Sequence, residues 1–151
     1  MHTLIISDTS CLIALGRIGR LEILQSLFGS VLVTSIVAAE YGNYLPAWIE
    51  IMDPRNQVLV REIAGRIDEG EASSIVLATE TQNSKLIVDD LPARRIAKAF
   101  AVNIIGTLGV LIEAKKQGIL PSLRDAVDAL QTAHFYLSAD LVSIALRDVG
   151  E

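Results

Sequence analysis

Short apolar runs rich in β-branched residues alternate along this chain with longer segments of helical periodicity, and carboxylates stand at the ends of two of the runs. Leu4-Ile5-Ile6-Ser7 is closed by Asp8, and Leu86-Ile87-Val88 by Asp89 and Asp90. Strands and helices in alternation, with short connections, imply a mostly parallel sheet covered on both faces. Ligands of such sheets bind outside the carboxyl ends of the strands, so acids stranded there can converge on one crevice. Carboxylates crowded together repel, and the usual remedy is a hard divalent cation such as Mg²⁺ or Mn²⁺. Metal-dependent phosphoryl chemistry is therefore the leading expectation.

The 151 residues fit one domain, 1–151, long enough for a real core. A hydrophobic fraction of 51% and a mean hydropathy of +0.44 suit a sheet buried on both faces, with apolar surface left for a partner. The longest apolar-leaning stretch, Phe100 to Ile112, is interrupted by Asn103, Gly106, Thr107 and Gly109. It falls short of the roughly 20 apolar residues that a spanning helix needs. No basic flank precedes the first apolar run and Asp8 interrupts it early, so neither a signal peptide nor a membrane role is expected, and the location expected is cytoplasmic. The single cysteine, Cys11, excludes an internal disulfide and reads as a small buried hydrophobe. A net charge of −5 argues against a protein that coats nucleic acid generally, but not against a nuclease whose metal site holds part of that charge.

Strands are expected at Leu4–Ser7, Val31–Val33, Trp48–Met52, Leu86–Val88 and Val102–Ile105. Between them fall helices at Ser10–Gly16 and Arg20–Phe28, and one that Thr34 or Ser35 caps, that carries Glu40 and that ends near Gly42-Asn43. A long helical region follows over Gln57–Gln82, broken near Gly70. The next helix opens at Asp90-Leu91-Pro92 with Ala93, Ile96, Ala97 and Phe100 on one face, and another runs from Thr107 to near Gly118. Two amphipathic helices close the chain, one after the Ser122–Asp125 capping pattern and one after Ser138.

Several familiar sites can be set aside. The first strand is not followed by G-x-G-x-x-G, and no G-x-x-x-x-G-K-[ST] occurs. Two histidines and one cysteine, far apart, do not make an ordinary zinc site, and neither His2 nor His134 sits in the context of a Ser–His–Asp triad. The acids remain, and each has a bland reading: Asp8 as the cap of the first helix, Glu40 as a solvated residue, Glu71 as a dipole partner in a first helical turn, Asp89 or Asp90 as the cap of the Pro92 helix. Capping needs one aspartate of the doublet, which leaves the other to be explained. Neighbours in an extended strand point oppositely, so one of the two is expected to be the direct ligand.

These residues carry a resemblance that runs nearly end to end. The chain resembles the PIN domain, the nuclease fold of VapC-type toxins, through Ile5-Ile6-Ser7-Asp8-Thr9-Ser10, Val37-Ala38-Ala39-Glu40-Tyr41, Gly70-Glu71-Ala72-Ser73 with Ile75 to Ala78, Leu86-Ile87-Val88-Asp89-Asp90 with Ala93-Arg94-Arg95, and Ile105-Gly106-Thr107-Leu108-Gly109-Val110-Leu111. The last two blocks are similar to a small prokaryotic PIN-like branch. The resemblance implies a three-layer α/β/α fold with a central sheet of about five strands. It also implies an endoribonuclease that uses Mg²⁺ or Mn²⁺, leaves 5′-phosphate and 3′-hydroxyl ends, and acts as the toxin of a toxin–antitoxin pair. Carried over by position, the metal-holding and catalytic acids are Asp8, Glu40, Glu71 and Asp89 or Asp90, with Ser10 and Thr107 supporting them. The chain departs from the pattern at Glu71, where many members have aspartate, and at Val88-Asp89-Asp90, where many have T-x-D.

Arg94, Arg95 and Lys98 lie beside the acidic strand end and are candidates for holding RNA phosphates, with solvated surface charge as the plain alternative. The apolar excess and the closing helices point to a homodimer, and in a toxin setting a small antitoxin protein would block the cleft. Competing readings are a PIN-like binding module with a vestigial site, an aspartate-dependent phosphatase with Asp8 as nucleophile, and a receiver-type signalling domain. The phosphatase wants an aspartate where Ser10 stands; the receiver wants a lysine that Ile105-Gly106-Thr107 does not supply.

Overall fold

A computed structural model describes residues 2–151. Five strands, β1 (Leu4–Ser7), β2 (Val31–Val33), β3 (Ile49–Ile51), β4 (Ser84–Ile87) and β5 (Ile104–Ile105), form one sheet in the order β3-β2-β1-β4-β5. Every pairing is parallel, with Ile6 opposite both Leu32 and Leu86, and Ser7 opposite Ile87. The helices are α1 (Thr9–Arg17), α2 (Ile23–Phe28), α3 (Ser35–Tyr41), α4 (Gln57–Ala64), α5 (Glu69–Glu80), α6 (Leu91–Ala99), α7 (Thr107–Lys116), α8 (Leu123–Thr132) and α9 (Ala139–Asp148). This is the α/β architecture that the alternating pattern dictates.

Side chains alternate across the pleat, which divides the core in two. Ile5, Val31, Val33 and Ile87 pack with α1, α2, α3, α7, α8 and α9 on one face, while Ile6, Leu32, Leu86 and Val88 pack with α4, α5 and α6 on the other. The runs read as continuously apolar because both faces are covered. The result is three layers, helix on sheet on helix.

Element ends follow local chemistry. Asp8 caps α1 by accepting from Cys11 N, Thr34 caps α3 by accepting from Val37 N, and Asp90 caps α6 by accepting from Ala93 N. At α8, Ser122 Oγ accepts from Asp125 N, while the Glu151 carboxylate takes the N–H groups of Leu123 and Arg124. That bonding, with Lys115 beside it, holds the Glu151 carboxyl below its ordinary value.

The long helical region breaks near Gly70 as expected, over 65–68, because the Asp68 side chain accepts from Gly70 N and starts α5 at Glu69. Two expectations are corrected. The last strand shortens from Val102–Ile105 to Ile104–Ile105. Phe100 leaves the buried face of α6: it is the C-cap residue and 41% exposed. The next residue, Ala101, has φ 60, a left-handed conformation that an alanine adopts at a cost. Ala101→Gly is therefore expected to stabilise the fold by about 0.5–1 kcal/mol, read as a higher urea midpoint with an unchanged slope; an unchanged or lower midpoint would contradict the strain argument.

Candidate functional site

The chain winds outward through β1, β2 and β3, then returns to place β4 and β5 on the other side of β1. The order reverses between β1 and β4, and a crevice opens at the carboxyl ends of such a pair. Asp8 follows β1 and Asp89 lies two residues beyond β4, so the switch point puts both acids on one rim. Asp8 N donates to Ile87 O at 3.0 Å, which ties the two strand ends together.

Asp8 is 1% exposed. Its Oδ1 accepts from Cys11 N, and its Oδ2 is buried with no hydrogen-bond partner. The backbone of Asp89 lies near enough to ease the charge, but a carboxylate oxygen in that position has lost water without gaining a well-formed hydrogen bond. Burial, followed by the charges of Asp89 and Glu71, pushes the Asp8 carboxyl up to about 8. Cys11 sits directly behind it, fully buried, its thiol pushed up by burial and by Asp8.

The other acids are held by different elements. Asp89, half-buried, accepts from Thr107 N at 2.8 Å and Thr107 Oγ1 at 2.6 Å, at the start of α7. Thr107 itself is 0% exposed. Glu40 is exposed on the last turn of α3 and accepts from Thr9 Oγ1 at 2.6 Å. Glu71, half-buried in the first turn of α5, is pushed up to about 7 by burial and then by Asp90, Asp68 and Glu40. Asp90 is exposed, and its Oδ2 is spent on capping α6.

The residues nominated from the sequence thus fall in one network of repelling charges: Asp8 with Asp89 and Glu71, and Glu71 with Asp90 and Glu40. Among the described residues, no three such side chains stand close enough to grip one ion as a group. Of the doublet, the charge of Asp89 acts on Asp8 and that of Asp90 on Glu71. Ser10 is exposed and makes none of the side-chain hydrogen bonds at the cluster; its neighbour Thr9 does. Arg94 is half-buried and donates from Nη1 to Val88 O at 2.9 Å, while Arg95 and Lys98 are exposed.

Asp68 escaped the sequence reading, although its charge acts on both Glu40 and Glu71. The Asp-x-Gly-Glu spacing of a helix cap is the signal that finds it. Two glycines escaped as well. A Cβ at Gly70 would run into the Glu40 carboxylate, and one at Gly106 would lie 3.0 Å from Arg94 Nη1 and 3.1 Å from Asp89 Oδ1. Both positions let backbone approach the acids closely. Two buried hydroxyls join the layers here: Thr34 Oγ1, the cap of α3, lies 2.8 Å from Ser73 Oγ on α5.

A pH dependence follows for the metal-free protein. Unfolded, Asp8 ionises near its ordinary 3.8 and Glu71 near 4.5; folded, they keep their protons to about 8 and about 7. Between those limits the folded chain binds the extra protons, so raising the pH removes stability, and the loss is complete above the folded values. Thermal melts in chelator are expected to drop from pH 5 to pH 8.5, steeply for the wild type and shallowly for Asp8→Asn; equal slopes would contradict the burial of that charge.

No curated protein matches the chain. The family model of the PIN domain matches residues 4–151, which takes in every element from β1 to α9 and all of the acids above. That match and the all-parallel, three-layer sheet with acids at its switch point agree, and the chain belongs to the PIN-domain family, a nuclease-type fold.

Proposed function

We propose that this PIN domain is a metal-dependent endoribonuclease that hydrolyses RNA phosphodiesters, in which Asp8, Glu40, Glu71 and Asp89 would draw together around a bound ion, with Asp90 at the rim. The observation that carries the reading is Asp8 Oδ2, buried and without a partner beside two further acids. An oxygen-only donor set of this kind suits Mg²⁺ or Mn²⁺ rather than zinc, since the nearest thiol, Cys11, is buried and held protonated. A bound cation would supply an activated water and a Lewis acid for the phosphate, which removes the need for a catalytic histidine.

The chain's own residues do the rest. Asp8, fixed by Cys11 N and the Ile87 carbonyl, gives the site its immobile anchor. Thr107 orients Asp89 through two hydrogen bonds, and Thr9 orients Glu40. Gly70 keeps the α5 backbone bare where Glu40 comes down on it. Arg95 and Lys98, exposed on α6, the helix that Asp90 caps, would attract RNA phosphates; Arg94 is partly committed to Val88 O. We further propose that the whole of 1–151 acts as this one catalytic unit, in the cytoplasm, as the toxin of a pair whose small antitoxin covers the acids, and as a homodimer. Among the described residues no helix is long and apolar enough to cross a membrane.

Asp8→Asn is expected to fold and to lose Mn²⁺-dependent cleavage of single-stranded RNA; undiminished cleavage would reject the assignment. Thr107→Val should weaken Mn²⁺ binding by about 10–100-fold in calorimetry. Gly70→Ala gains up to about 1 kcal/mol of helix propensity but displaces Glu40, so its melting point should hold while Mn²⁺ affinity falls. A wild-type chain that takes up neither Mn²⁺ nor Mg²⁺ would leave the vestigial binding module as the better reading.

A further inference from the structure

A groove of about 430 Å³ lies between α1 and α3, lined by Ile13, Gly16, Arg17, Tyr41 and Asn43. Its walls are the two helices that the Thr9–Glu40 hydrogen bond joins at the acidic site. Thr9, Ile13, Gly16 and Arg17 recur at helical spacing along one side of α1, and Tyr41 follows Glu40 directly on α3. On α1 the groove runs from Ile13, one turn beyond Thr9, to Arg17. Four helical steps cover about 6 Å, the length of roughly two stacked nucleotides at about 3.4 Å each.

The lining has the chemistry that single strands ask for. Arg17 is exposed and is engaged in neither of the two ion pairs, Lys115–Glu151 and Lys116–Asp148, found among the described residues. An arginine in the last turn of a helix suits the helix dipole, which explains a cation at the end of α1 but not its place on the wall of a groove. Tyr41, half-buried with part of its side chain packed against the core, gives the groove an aromatic edge, and Asn43 gives an amide. Gly16 carries no side chain, which lets the Tyr41 phenol settle onto α1: a Cβ there would come within 3.2 Å of its hydroxyl. Backbone charge neutralisation combined with an aromatic platform is how proteins hold single-stranded nucleic acid.

We propose that this groove receives the single-stranded RNA flanking the scissile phosphate, with Arg17 on the backbone and Tyr41 against a base. The proposal rests on the ribonuclease reading for its choice of ligand. Together with Arg95 and Lys98 beyond Asp90, it gives the strand a path across the acids, held by cations on both sides.

The test is fluorescence anisotropy with a labelled mixed-sequence RNA single strand and a labelled trinucleotide, using Ca²⁺ in place of Mg²⁺. Arg17→Glu should weaken binding of the long strand about ten-fold and lower the salt slope by about one, and the trinucleotide should suffer less. Tyr41→Leu, which keeps apolar bulk, should weaken the long strand about ten-fold with an unchanged salt slope. Arg147→Glu on α9 makes the same charge change away from the groove and should bind as the wild type does. Wild-type affinity in Arg17→Glu, or an equal loss in Arg147→Glu, overturns the proposal; the first result is also expected if a protein partner occupies the groove. Cleavage is scored separately with Mn²⁺. A wild-type chain that cuts no RNA yet loses binding through Arg17 would sink the ribonuclease reading while leaving the groove assignment in place.

Discussion

The whole site depends on one carboxylate that the fold cannot satisfy by itself. Asp8 stands where the central strand ends, at the point where the winding order of the sheet reverses, and the layers on both sides close around it. One of its oxygens does ordinary work as a helix cap. The other is dry, unpartnered and next to further negative charge. Burial of this kind costs free energy unless a counter-charge arrives. Strain concentrated at one point of an otherwise well-packed domain is the usual mark of a functional site.

Much of the fold could be read from residue order because both faces of the sheet are covered, so its strands are short apolar runs that nothing else explains. Val31–Val33 and Leu4–Ser7 were delimited correctly by periodicity and by the polar residues that follow them. Thr34 and Asp90 announced helix starts through side-chain chemistry that acts within three residues. Local signals such as these survive tertiary packing.

What was not legible is what depends on packing between distant segments. Helix α5 is buried from Ala72 to Ala78, so it has no polar face and no amphipathic pattern to reveal its bounds. Gly70 marks the helix break only approximately; it lies in the first turn of α5, where Glu40 comes down on the backbone, and the cap is Asp68. Thr9 and Ser10 are equivalent in sequence as hydroxyls in the first turn of α1; only the passage of α3 beside that turn selects Thr9. Arg94 looked like a free surface cation, and the Val88 carbonyl claims it.

The buried hydroxyl pair between Thr34 and Ser73 has a mechanical consequence. It fastens the root of the helix that bears Glu40 to the flank of the helix that bears Glu71. A polar clasp inside an apolar interior resists sliding, since Ser73 Oγ already donates to Gly70 O and parting the pair would leave the buried Thr34 hydroxyl proton without an acceptor. The gap between those two acids is consequently set from deep inside the domain, and a substitution at Ser73, remote from any solvent, would retune it as surely as a change at the rim.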